Sequence, residues 1–152
     1  MKKLHFILMA IMPFCAFGQS IDTEKLMEVC EKGIVNVFTE SGQGSGFVVN
    51  KKGYLITNFH VIADRYGQAS RQVEIKFKDE RTYTANVVDY NENYDLALLK
   101  ISPDEPLTAL PILAGKLPKE GAEIITIGNG KGLGFAIIDC PVLKYVYLIY
   151  QY

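Results

Sequence analysis

Two side chains in this sequence have the types and setting to work as a proton-transfer pair. His60 lies in the run GSGFVVNKKGYLITNFHVI, residues 44–62, and Asp95 opens the run DLALLKI, residues 95–101. An imidazole can take the proton of a hydroxyl near neutral pH, and a buried carboxylate behind it fixes its tautomer and stabilises its charged form. His60 follows one strand-like run and Asp95 begins another, so a barrel can bring both to a single rim. Alternation in DLALL sends the apolar neighbours of Asp95 to the core and leaves Asp95 at the strand's entrance. Asp64, Asp89 and Glu92 are competing carboxylates. The plainer alternatives are a hydrogen-bonded core histidine and a solvated turn aspartate.

A nucleophile is harder to find. The chain has five serines, Ser20, Ser41, Ser45, Ser70 and Ser102. Ser45 is flanked by glycines but lacks the G-x-S-x-G elbow, and a glycine-rich bend where strands approach closely is its expected role. A zinc site is set aside, because the only other histidine is His5 and neither a CxxC pair nor an HExxH helix is present. The stretch GNGKGLG, residues 128–134, does not meet the P-loop pattern and reads as a tight turn between two strands. No cofactor is expected.

The elements that must position the pair follow from periodicity. Leu26, Met27 and Cys30 fall at helical spacing between residues 22 and 32, ahead of Gly33, which can close a helix in the left-handed conformation. The period then changes to two. Residues 34–38, 46–50, 54–59, 72–77, 82–90 and 95–101 form six strand-like runs, rich in β-branched and aromatic residues and separated by turns such as NKKG and KDER. Six short strands with no long helix among them predict an all-β fold, a small closed antiparallel barrel without exposed edges. A proline-punctuated connector follows, and residues 122–128 and 134–138 read as the first strands of a second sheet.

Composition bounds the rest. With 49% hydrophobic residues the 152-residue chain can build one ordinary core, and 16 basic against 17 acidic residues, without a basic stripe, make nucleic acid an unsuitable partner. The start, MKKLHFILMAIMPFCAFGQS, has the layout of a secretory signal peptide with cleavage after Gly18. Its apolar run is well short of the roughly 20 residues a membrane span needs, so no membrane association is expected after cleavage. Cys30 and Cys140 then remain; they could pair in an oxidising compartment, although two buried free thiols is the plainer reading.

The runs at residues 44–49 and 53–62 closely resemble the segment around the catalytic histidine of trypsin-like serine proteases of the HtrA (Do/Deg) type. DLALLKI resembles the family's aspartate segment, and residues 128–133 resemble its GNPxGL loop with Gly130 in place of proline. The likeness runs in family order from about residue 34 to 135. It implies a trypsin-like antiparallel β-barrel, the first barrel complete and the second truncated, after a short N-terminal helix. It also implies His60 as general base, Asp95 as its orienter and a polypeptide as substrate or protein partner. The divisions expected are a signal peptide at 1–18, a lead-in helix at 19–33, the first barrel at 34–103, a connector and start of the second barrel at 104–138, and an atypical apolar tail at 139–152. The family's GNSGG-like serine pattern is absent, and no serine follows Ser102. The expectation is therefore a serine endopeptidase by ancestry, exported to the periplasm or secreted, and inactive as a truncated product. A catalytically dead binding module and a half-enzyme completed by another chain are the alternatives.

Overall fold

A computed structural model describes residues 23–112, 123–128 and 136–141. In order along the chain they form α1 (Thr23–Cys30), β1 (Ile34–Thr39), β2 (Gly42–Val48), β3 (Tyr54–Thr57), α2 (Phe59–Ile62), β4 (Gln72–Phe77), β5 (Thr82–Asn91), β6 (Leu96–Lys100), β7 (Glu123–Gly128) and β8 (Ala136–Pro141). The first six strands close into an antiparallel barrel in the order β1-β2-β3-β6-β5-β4, with β4 returning to β1. The all-β expectation holds. β7 and β8 form a separate two-stranded antiparallel sheet.

Alternation builds the barrel. In β4, Val73, Ile75 and Phe77 are buried while Gln72 and Glu74 are exposed. Val35, Val37, Val48, Leu55, Ala85, Ala97 and Leu99 point into the same interior from the other strands. Closure removes the edges that six short strands would otherwise leave unpaired. Val61 and Ile62 of α2, with Ile101 and Leu107, which follow β6, complete the core cluster. The backbone N–H of Leu110 donates to the Val48 carbonyl at 2.9 Å, so the chain leaving β6 folds back along the barrel.

Several boundaries differ from the periodic reading. β3 stops at Thr57 and Phe59 already belongs to α2, because the run 54–59 changes from strand to helix at Asn58. β2 begins earlier, at Gly42, and its glycines are strand residues paired with β1. Glycine is required at position 44 by contact, since a Cβ there would lie 2.4 Å from Val61 Cγ2. Gly33 is not left-handed; it is small because a Cβ would meet Leu110 Cγ at 2.7 Å and the Thr108 carbonyl at 2.9 Å. The α1 face of Leu26, Met27 and Cys30 is half-buried, as its spacing predicts.

Cys30 carries a free thiol and is half-buried rather than buried. The Cys140 side chain lies outside the described residues. Residues 1–22, which hold the expected signal peptide, residues 129–135, which hold most of the expected glycine-rich turn, and residues 142–152 also lie outside them. The strands on either side of that turn do pair, from Gly128 with Ala136 to Glu123 with Pro141. Among the described residues no helix is long and apolar enough to cross a membrane.

Candidate active site

The segment Thr57-Asn58-Phe59-His60 ties each of its side chains to a different part of the barrel. Thr57, at the end of β3, is the buried polar residue of the described chain, and its hydroxyl donates to the Ser45 carbonyl of β2 at 2.8 Å. Asn58 donates from Nδ2 to the Asp95 carbonyl at 3.0 Å. Phe59 stacks on Tyr90 of β5, ring centroids 5.0 Å apart. His60 is thereby held at the rim, on the single turn of α2.

Asp95 meets His60 twice. Oδ1 accepts the His60 backbone N–H at 2.9 Å, and Oδ2 lies 2.7 Å from Nδ1 of the ring. An ionised carboxylate only accepts, so Nδ1 carries the proton in this contact and Nε2 is left as the ring's acceptor. The two-point grip fixes both the rotation of the ring and its distance. Short charge-assisted bonds of this kind are about twice as strong as neutral ones. The carboxylate is not the fully buried group that the sequence reading expects. The Asp95 side chain is 24% exposed and that of His60 39%.

Asp95 lies just before β6, in the left-handed region with φ +50. Aspartate visits that region more readily than most residues, because its short polar side chain can hydrogen-bond locally. Its backbone N–H donates to the Glu92 carbonyl at 3.1 Å. The turn aims the carboxylate back across the rim toward α2, which alternation within β6 alone would not do.

The β1–β2 turn supports α2 from the other side. Thr39 donates from its hydroxyl to the Val61 carbonyl at 3.4 Å, and Ser41 to the Ala63 carbonyl at 3.3 Å. These are two of the carbonyls that a helix end leaves without an internal partner.

Two of the competing carboxylates are committed elsewhere. Asp64 closes its own loop, accepting the Tyr66 and Gln68 N–H groups at 2.8 and 2.9 Å. Asp89 sits at a bulge in β5 and accepts the Tyr90 N–H at 2.8 Å. Glu92 enters through its backbone carbonyl. Ser45 is a mid-strand residue of β2 opposite Asn36, beside β7, where a Cβ on Gly128 would lie 3.4 Å from its hydroxyl. Among the described residues no group of three or more His, Cys, Asp or Glu side chains could hold a metal ion.

The structure brings together His60 and Asp95, the two residues named in the sequence reading, which overlooks Asn58, Thr39 and Ser41. One signal was available. Asn58 is a favoured helix-capping residue type two residues before His60, yet Val61 stands where the glutamate of a capping box would be.

The trypsin-like peptidase domain matches residues 44–146. Serine endoprotease DegS of Escherichia coli K12 is 37% identical over 94 residues, 62% of this chain and 25% of DegS. A probable periplasmic serine endoprotease, DegP-like, of Hahella chejuensis is 35% identical over 97 residues, 62% of this chain and 19% of that protein. The crystal structure of the serine endoprotease from Yersinia pestis superposes with a TM-score of 0.67 at 30% identity, covering 76% of this chain and 42% of that one. The chain thus spans a quarter or less of the length of these two curated relatives. Family match, relatives and barrel agree, and the chain belongs to the trypsin-like peptidase family, with HtrA-type proteases among its homologues.

Proposed function

We propose that this chain carries the base-and-orienter half of an HtrA-type serine endopeptidase. His60 is the general base, accepting a serine proton at Nε2, and Asp95 is its orienter, holding Nδ1–H and stabilising the imidazolium. The observation that carries the reading is the double contact of Asp95 with the ring Nδ1 and the backbone N–H of His60. The reaction of the complete machinery is acyl transfer from a peptide bond to serine and then to water, without a cofactor, on polypeptide substrates. Residues 34–103 supply the first barrel, and residues 104–138 the connector and the start of a second. Residues 1–18 direct export to the periplasm, a reading supported by the basic and apolar character of that stretch and by the periplasmic DegP-like relative.

The 152 residues alone do not hydrolyse peptides in this account. None of the five serines has the expected nucleophile pattern, and a single missing oxyanion donor already costs about 3 kcal/mol of transition-state stabilisation. A fluorophosphonate probe tests this, because it phosphonylates an activated serine Oγ with loss of fluoride. The purified chain is expected to remain unlabelled. Labelling at any serine that is lost in His60→Ala would contradict the proposal.

A further inference from the structure

Asn58 stands immediately before α2, where a short polar side chain ordinarily accepts a hydrogen bond from the helix's first N–H groups. Its side chain makes no such cap. The carboxamide is turned the other way and donates across the rim to the Asp95 carbonyl at 3.0 Å. Asp95 holds the left-handed conformation, φ +50, with its own N–H on the Glu92 carbonyl. Its backbone is therefore tied on both sides, by Glu92 at the N–H and by Asn58 at the carbonyl.

We infer that Asn58 is a positioning residue for the His60–Asp95 pair, locking the Asp95 turn so that both carboxylate oxygens face His60. This rests on the reading of those two residues as base and orienter. The choice of residue type supports the inference. Serine, threonine and aspartate cap helices about as well as asparagine, but the hydroxyls are too short for this reach and an ionised aspartate has no proton to donate. A carboxamide reaches the carbonyl and donates to it. Asn58 and His60 are two residues apart, so one short segment sets the base and, through the carbonyl, the carboxylate that orients it.

Asn58→Ser and Asn58→Asp separate positioning from capping, since both retain a good capping type and neither places a donor at the Asp95 carbonyl. The readout is the proton NMR resonance of His60 Nδ1–H in the full-length chain, with the melting temperature measured alongside. The wild type should show a downfield Nδ1–H resonance shielded from solvent exchange. Both variants should lose it or move it toward free imidazole while remaining folded. A wild-type resonance retained in either folded variant would overturn the inference and leave the pair itself intact. Absence of the resonance in the wild type would remove the pair and the inference together. Unfolding of both variants would also overturn it, making Asn58 a stability residue.

Discussion

Gly44 of β2 and Val61 of α2 approach so closely that a Cβ on Gly44 would lie 2.4 Å from Val61 Cγ2. The turn carrying His60 is thus pressed directly onto strand backbone, and its height above the barrel is set by the absence of a side chain at position 44.

Gly44→Ala is expected to lift α2 rather than to be absorbed locally. Overpacking of this kind costs about 1–3 kcal/mol. Chemical denaturation should show that loss, and the His60 ring resonances should shift. A variant of unchanged stability with unshifted His60 would show that α2 is not seated on β2 as described.

Asp95→Asn keeps the shape of the side chain and replaces one acceptor oxygen with a donor. The amide can still accept from the His60 N–H through its oxygen, but its NH2 group must then donate to Nδ1, which moves the ring proton to Nε2. The pair is partly exposed, so the stability loss should be small, about 1 kcal/mol or less. The expected signature is a reversed tautomer in the nitrogen NMR spectrum with little change in melting temperature. An unchanged tautomer would contradict the assignment of Asp95.

The other end of β5 carries a separate polar cluster. Tyr83 donates to Asp104, and Arg81 pairs with Asp79 and Glu105. The Tyr83 hydroxyl holds the Asp104 carboxyl below its usual range, and the Arg81 side chain does the same for Asp79. Depressed carboxylates contribute stability that is present above their unfolded values, about pH 4, and is lost as pH falls through the folded ones. Melting temperature should therefore decline below about pH 4, and less steeply in a double variant with Asp79→Asn and Asp104→Asn. The bond to Asp104 raises Tyr83, so its contribution is lost as pH climbs through its raised value. Tyr83→Phe should remove one tyrosinate from the alkaline side of the ultraviolet titration.

Leu55 is fully buried in β3, two residues before Thr57. Leu55→Ala should cost about 2–5 kcal/mol. Because β3 leads directly into α2, the same variant should broaden the His60 resonances before global unfolding. Sharp, wild-type resonances up to the melting transition would show that the core and the site are uncoupled.

How far the sequence could be read depended on the range of the interaction. Strand alternation is local, and the strand-like runs it marks carry the core residues Val35, Val37, Val73, Ile75 and Leu99. The pairing of His60 with Asp95 was legible because each stands at the end of a strand-like run and both runs carry family motifs. What was not legible depends on residues brought together only by closure of the barrel. The diversion of Asn58 to the Asp95 carbonyl and the seating of Val61 on Gly44 both join distant parts of the chain. Gly33 illustrates the same limit. Its position after a helix suggested a left-handed cap, whereas its actual constraint is Leu110, a residue on the far side of the barrel sequence.

If this barrel holds His60 as an oriented base, the protonation pattern of its ring must show it. Nitrogen-15 NMR of the neutral imidazole should show Nδ1 protonated and hydrogen-bonded, with Nε2 carrying the lone pair. A ring protonated mainly at Nε2, the form free imidazole side chains favour, would contradict the account.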